Sequence, residues 1–312
     1  MTIAIIASPD SIGGLDAYRT ILAEALPDLD IRVWPDVGDP ADIRYAVVWQ
    51  PEPGVLGQFP NLAGIFNLGA GVDGLMRDTT LPANVPVMRL ADAGMGDQMV
   101  EYCLYGVLHF HRDMDLYRRD QAQGIWAPRP FVATGHRRVG VLGLGTLGGQ
   151  VADAAAAFGF DTAGWSRSPK VLRQIRCFSG ADQFDAFLAR TDILVNLLPL
   201  TDATRGILNA DTFAKMPRGA CLVNAARGAH VVEADLLRAL DDGHIRGCLL
   251  DAFDPEPLPA DHPFRRHPGV IVTPHVAAQT VPHDACQQIV NNIKRLEDGR
   301  APYNVVDRST GY

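Results

Sequence analysis

One stretch constrains this chain more than any other: Val141-Leu142-Gly143-Leu144-Gly145-Thr146-Leu147-Gly148. A short apolar run, residues 139–142, precedes it, and residues 146–158 follow with helical patterning. It is therefore G-x-G-x-x-G between a strand and a helix. Gly143 permits a tight turn, Gly145 lets the backbone approach a pyrophosphate, and Gly148 allows close helix–strand packing. Phosphates meet the unpaired N–H groups at such a helix start. A bare glycine pattern is a weak signal and also fits an ordinary turn; inside strand–turn–helix it is specific.

The rest of the chain repeats this alternation. In the first part, strands are expected at 3–7, 31–33, 45–49, 64–67 and 87–90, each followed by turn residues, with a helix at 15–25. A helix is expected over 96–119, and then a Gly- and Pro-containing loop at 123–135. A second block has strands at 139–142, 162–165, 193–197, 220–224, 248–251 and 270–273. Its helices are expected at 146–158, 181–188 and 233–240, and a last helix follows at 284–297. Strand–helix–strand alternation predicts parallel sheets covered by helices, here two α/β domains.

The end of the second strand in the later block bears on the choice of dinucleotide. An acid for the ribose 2′-OH is expected about 20 residues past the glycines. The chain instead reads Gly164-Trp165-Ser166-Arg167-Ser168-Pro169-Lys170. Arg167 can hold a phosphate bidentately, and Ser166 and Ser168 can donate to it. NADP(H) is therefore expected, with NAD possible but weaker. The alternative is a solvated basic loop.

Three further segments fall at expected strand ends: Asn224-Ala225-Ala226-Arg227-Gly228, Asp251 to Leu258, and Thr273-Pro274-His275. In open α/β sheets, ligands bind outside the carboxyl ends of the strands. Reduction of a carbonyl by hydride needs a cation for the substrate, an acid, and a partner that keeps the acid protonated. Arg227 suits a carboxylate. His275 suits proton donation near neutral pH. Glu256 suits the partner, because a neighbouring anion favours imidazolium. Each alone also reads as a structural residue. Gly69-Ala70-Gly71 could form an anion nest of backbone N–H groups, or an ordinary turn. Trp49, Trp126, Met95 and Met99 could wall a small pocket, although core packing suits the methionines and Trp49, and a subunit contact suits Trp126.

With these motifs the chain resembles the D-2-hydroxyacid dehydrogenase family. The carrying residues are 143–148, Ala225-Ala226-Arg227-Gly228, Asp254-Pro255-Glu256-Pro257-Leu258, Thr273-Pro274-His275 and Asn67-Leu68-Gly69-Ala70-Gly71-Val72-Asp73. Trp165-Ser166-Arg167-Ser168 and residues 273–278 resemble members that reduce glyoxylate and hydroxypyruvate. The resemblance implies a Rossmann-type nucleotide domain inserted into a discontinuous, flavodoxin-like substrate domain. Residues 1–98 and 279–312 would form the substrate domain, and 99–278 the nucleotide domain with its linking helix. It implies catalytic roles for Arg227, Glu256 and His275. The cofactor would meet Gly143, Leu144, Gly145, Thr146, Leu147, Gly148, Ser166, Arg167, Ser168, Leu198, Pro199, Ala225 and Asp251, the last at the nicotinamide carboxamide. The substrate would meet Trp49, Arg227 and the backbone of Leu68, Gly69, Ala70, Gly71 and Val72. A homodimer is implied as well. The missing 2′-OH acid is the one departure, and it bears on NAD use.

Composition narrows the function classes. The net charge of −8 argues against a broad nucleic-acid footprint. No apolar run of about 18 residues is present, so no membrane partner is expected. The short apolar start does not suit a signal peptide. Five cysteines without a C-x-x-C pair suit a reduced, cytoplasmic setting and no zinc site. The expected activity is NADPH-dependent reduction of small 2-oxo acids, with glyoxylate and hydroxypyruvate foremost. Another oxo acid, or a non-catalytic NADP(H) sensor on the same fold, remains open.

Overall fold

The structure, a computed structural model, describes residues 2–7 and 14–312. It divides into Met1–Met95 with Gln279–Tyr312, and Gly96–Ala278. The second unit thus interrupts the sequence of the first.

Unit 1 is built on five parallel strands: β1 (Thr2–Ile6), β2 (Asp30–Val33), β3 (Ile43–Val48), β4 (Gly64–Asn67) and β5 (Val87–Met88). Their spatial order, β2-β1-β3-β4-β5, is the flavodoxin-like one. Helices α1 (Leu15–Ala25), α2 (Asp73–Met76) and α9 (Pro282–Glu297) belong to this unit. Pro282 opens α9, where a missing N–H costs nothing. Ala285, Cys286, Ile289, Val290 and Ile293 form the buried stripe of α9.

Unit 2 carries seven parallel strands: β6 (Arg138–Leu142), β7 (Asp161–Ser166), β8 (Arg176–Ser179), β9 (Ile193–Asn196), β10 (Ala220–Asn224), β11 (Ile245–Leu250) and β12 (Val270–Val272). The order β12-β11-β10-β9-β6-β7-β8 reverses direction between β6 and β9, as in the Rossmann fold. Successive strand residues feed two cores. Leu142, Leu194, Leu222 and Leu250 face one, and Val141, Val195, Val223 and Leu249 face the other. That is why the central strands read as unbroken apolar runs. The covering helices are α3 (Met95–His111), α4 (Met114–Ala122), α5 (Thr146–Ala157), α6 (Phe184–Ala189), α7 (Ala210–Lys215) and α8 (Glu233–Asp241). Gly106 lets α3 lie against the sheet, because a Cβ there would come 2.7 Å from Val223.

The helix expected over 96–119 needs correction. It is broken at Asp113, which takes a left-handed φ of 54°. The cause is tertiary. Arg246 on β11 donates to Asp113 Oδ1 at 2.6 Å and to the Phe110 carbonyl at 2.5 Å. No glycine or proline marks the spot. Strand β8 and helices α2 and α7, all short, were not expected. No helix among the described residues is long and apolar enough to cross a membrane.

Candidate functional site

The turn after β6 behaves as its glycines require. Gly143 has a φ of 94°, and a Cβ there would meet the Leu197 carbonyl oxygen at 2.7 Å. A Cβ on Gly148 would lie 1.8 Å from the Gly143 carbonyl oxygen. Gly145 differs: a Cβ there would enter open space. It caps α5, whose first turn has no acidic residue and no side-chain cap. Helix-start N–H groups beside open space fit a pyrophosphate. Leu144 is buried against Gly164 on β7, so its side chain packs the turn. Thr146 is exposed at the helix start, and Leu147 is half-buried. Across the switch point, Leu198 is buried and Pro199 half-buried, with Ala225 buried past the end of β10.

At the end of β7, Ser166 is buried and donates to the Ser168 carbonyl at 2.7 Å, shaping the turn. Arg167, Ser168 and Lys170 are exposed there. Residues 164–170 contain no carboxylate, so this segment suits an added phosphate.

Past β10, β11 and β12 the expected chemistry comes together within unit 2. His275 Nδ1 and Glu256 Oε2 lie 2.8 Å apart. Their side chains are 42% and 36% exposed, enough for a small solute to reach them. Glu256 is aimed by the Phe253 N–H, which donates to Oε1 at 2.8 Å. The Glu256 hydrogen bond lifts the His275 pKa above the ordinary imidazole range, against burial and the Arg227 charge. Burial would raise Glu256, but the bonds from His275 and the Phe253 N–H hold it below the usual carboxylate range. Arg227, half-buried after β10, contributes its charge to both groups and donates to the Ala226 carbonyl at 2.8 Å.

His275 itself has a left-handed φ of 56°, uncommon for a residue with a side chain. Asp251 holds it there. The Asp251 carbonyl accepts the His275 N–H at 2.8 Å. Its carboxylate accepts the N–H groups of Val276 and Ala277, each at 2.8 Å, and the Thr273 hydroxyl at 2.6 Å. Tyr102 braces Thr273 from α3, oxygen to oxygen at 2.6 Å. A carboxylate has about four lone-pair sites, so one remains on Asp251 for another donor.

In unit 1, Leu68, Gly69, Ala70, Gly71 and Val72 form the turn after β4. Asn67 Nδ2 donates to the Gly69 and Gly71 carbonyls at 3.0 Å each. Thr280 takes the Leu68 carbonyl at 3.0 Å. With carbonyls drawn into the protein, the N–H groups of residues 69–72 have no acceptor among the described residues. That fits an anion nest. Trp49 packs on this turn, 2.3 Å from where a Gly69 Cβ would stand. Met95 and Met99 are buried, each in its own unit. Asn196 and Asn224, buried at strand ends of unit 2, and His230, buried in the turn 228–230, escaped the sequence reading. The signal was there: asparagines closing two consecutive apolar strands.

A family model for the D-isomer specific 2-hydroxyacid dehydrogenase NAD-binding domain matches residues 104–277. A glyoxylate/hydroxypyruvate reductase A from Serratia proteamaculans is 47% identical over 93% of this chain and 94% of its own. Its Photorhabdus laumondii counterpart is 46% identical over the same shares. Among solved structures, a D-isomer specific 2-hydroxyacid dehydrogenase from Xanthobacter autotrophicus, in complex with NADPH and MES, superimposes with TM-score 0.94 at 43% identity. That match covers 100% of this chain and 99% of the other. An NADPH-dependent glyoxylate/hydroxypyruvate reductase from Sinorhizobium meliloti, in complex with NADP and sulfate, gives TM-score 0.92 at 35% identity with the same coverage.

Proposed function

The chain belongs to the D-isomer specific 2-hydroxyacid dehydrogenases, and on that premise we propose that it reduces glyoxylate and hydroxypyruvate with NADPH. The observation that carries this reading is the 2.8 Å His275–Glu256 pair, in the same unit as the dinucleotide turn. When bound, NADPH supplies the hydride. His275 donates a proton from its ring to the oxygen of the carbonyl as that oxygen gains charge. Glu256 holds the ring charged and oriented beforehand. Arg227 takes the carboxylate of the oxo acid and polarises its carbonyl. In unit 1, the N–H groups at Gly69, Ala70, Gly71 and Val72 offer donors to an anion, whereas the Leu68 N–H is taken by the Val48 carbonyl at 2.9 Å, and Trp49 backs that turn.

Gly143, Leu144, Gly145, Thr146, Leu147 and Gly148 would hold the pyrophosphate, Ser166, Arg167 and Ser168 the 2′-phosphate. Leu198, Pro199 and Ala225 would border the nicotinamide, and the spare lone pair of Asp251 would take its carboxamide. NADH lacks the 2′-phosphate and is expected to bind more weakly. The five cysteines are unpaired thiols, in keeping with a cytoplasmic location. A homodimer is part of the same reading and is supported by apolar side chains left exposed at Trp126 and Phe131.

The test is steady-state oxidation of NADPH and NADH with glyoxylate, hydroxypyruvate and pyruvate in parallel. Turnover with NADPH well above NADH on the first two acids is expected. NADPH binding without turnover of any of the three would reject the assignment.

A further inference from the structure

Two asparagines close adjacent strands of unit 2, and register places Asn196 of β9 beside Asn224 of β10. Both are fully buried. Asn196 Nδ2 donates to Asn224 Oδ1 at 2.9 Å and faces His230 Nδ1 at 3.1 Å. His230 is wholly buried in the 3-10 turn Gly228–His230. Its Nε2 lies 3.3 Å from the Pro199 carbonyl oxygen.

The ends of this chain of bonds are backbone groups of fixed polarity, so every member can be assigned. The Leu198 N–H needs an acceptor, which makes the Asn196 atom at 3.3 Å its oxygen. The Asn196 amide nitrogen therefore faces His230, whose Nδ1 must accept. The imidazole proton is then on Nε2 and is donated to Pro199. At the other end, Asn224 Nδ2 donates to the Arg227 carbonyl at 3.1 Å, leaving Oδ1 to accept from Asn196. One buried imidazole thus ties the Leu198–Pro199 backbone to the backbone of Arg227. Buried networks in which every group is satisfied fix one arrangement, because any misplacement strands a polar group away from water.

We propose that His230 is a positioning residue: through Asn196 and Asn224 it fixes the Arg227 guanidinium relative to the backbone that borders the nicotinamide. The proposal rests on the oxo-acid reductase reading for what Arg227 binds. Hydride transfer tolerates little error in placement, and a misplacement of about 1 Å can cost about 100-fold in rate.

The experiment compares His230→Leu, His230→Gln and Asn224→Asp with the parent. Each is measured by turnover of glyoxylate with NADPH, and by calorimetric titration of oxalate, a planar dianion that reports on Arg227 without turnover. Leucine removes the imidazole's contacts with Asn196 and Pro199. Glutamine restores a donor and an acceptor. Asn224→Asp keeps the size and the bonds that Oδ1 accepts from Asn196 and from the Ala226 N–H, and turns only the contact with the Arg227 carbonyl repulsive.

We expect His230→Leu and Asn224→Asp to lose about 10- to 100-fold in kcat/KM and to bind oxalate correspondingly more weakly. We expect His230→Gln to recover most of that loss. Parental kinetics and oxalate affinity in Asn224→Asp would overturn the proposal, whether or not the leucine variant folds. So would a glutamine variant as impaired as the leucine one, which would reduce the role to filling space. A parent that turns over no oxo acid would reject the functional reading instead, and the oxalate titrations would still decide this one.

Discussion

His275 carries the sharpest chemistry in the molecule, and its protonation follows from one contact. The Glu256 hydrogen bond lifts its pKa. In the proposed reaction, reduction needs the imidazolium, which is present below that pKa and lost as pH rises through it. Reduction rate should therefore be flat at low pH and fall above the lifted pKa. Glu256→Gln removes the largest cause of the lift, so the fall should move to lower pH. A pH–rate profile of the variant that superimposed on the parent's would refute this account. His275→Ala should cost about 10²–10⁴-fold in kcat, the usual worth of a positioned acid, with NADPH affinity little changed. In the proposed reading Arg167 serves the cofactor rather than the reaction. An exposed charge-assisted bond to phosphate contributes about 1.5 kcal/mol, so Arg167→Ala should weaken NADPH about tenfold and leave NADH nearly unaffected. Equal loss for both cofactors in fluorescence titrations would count against a 2′-phosphate role.

At the scale of elements, the β6–turn–α5 unit separates what glycine does for the fold from what it does for a ligand. A Cβ on Gly148 collides with backbone, whereas one on Gly145 meets nothing. Gly148→Ala should cost about 1–3 kcal/mol of stability. Unit 2 has the size at which that lowers Tm by about 2–4 °C per kcal/mol. Gly145→Ala should leave the apo Tm unchanged and still weaken NADPH, because its methyl would stand where a pyrophosphate approaches. Thermal melts with and without NADPH read both effects. If Gly145→Ala kept full affinity, the turn would not hold the phosphates. This unit was also the most legible in the sequence, since its glycines answer to local geometry. The Asp113 break was not legible, because Arg246, 133 positions later, ends the helix there. His275, Glu256 and Arg227 could be picked out because each follows a strand whose apolar run ends abruptly. The bonds from Asp251 that hold His275 in its left-handed conformation join residues more than 20 positions apart, and no local pattern announces them. The Asn196–Asn224–His230 network was hidden for the same reason, since it depends on which strands become neighbours.

At the scale of the whole molecule, the arm after α4 exposes more apolar surface than a lone chain has reason to. Trp126 is 99% exposed and Phe131 80%. Yet the arm is anchored rather than loose. Arg129 donates to Asp120 at 2.6 Å and stacks over Tyr117, and the Tyr117 hydroxyl accepts the Arg129 N–H at 2.9 Å. Ordering a segment costs about 1–2 kcal/mol per residue in backbone entropy, and these contacts hold it without covering its aromatic side chains. Large apolar groups held out to solvent mark an interaction surface. The reading as a homodimer makes a second copy the occupant. Aromatic anchors carry much of an interface's energy, on the order of 2 kcal/mol or more each, which would shift a dimer's dissociation constant more than tenfold. Trp126→Asp should therefore move the protein toward monomer in sedimentation at micromolar concentration, without lowering the NADPH affinity of unit 2, because among the described residues no hydrogen bond, ion pair or ring contact joins the arm to the 143–148 turn. A parent that sediments as a monomer at that concentration would leave these aromatics without the partner assigned to them.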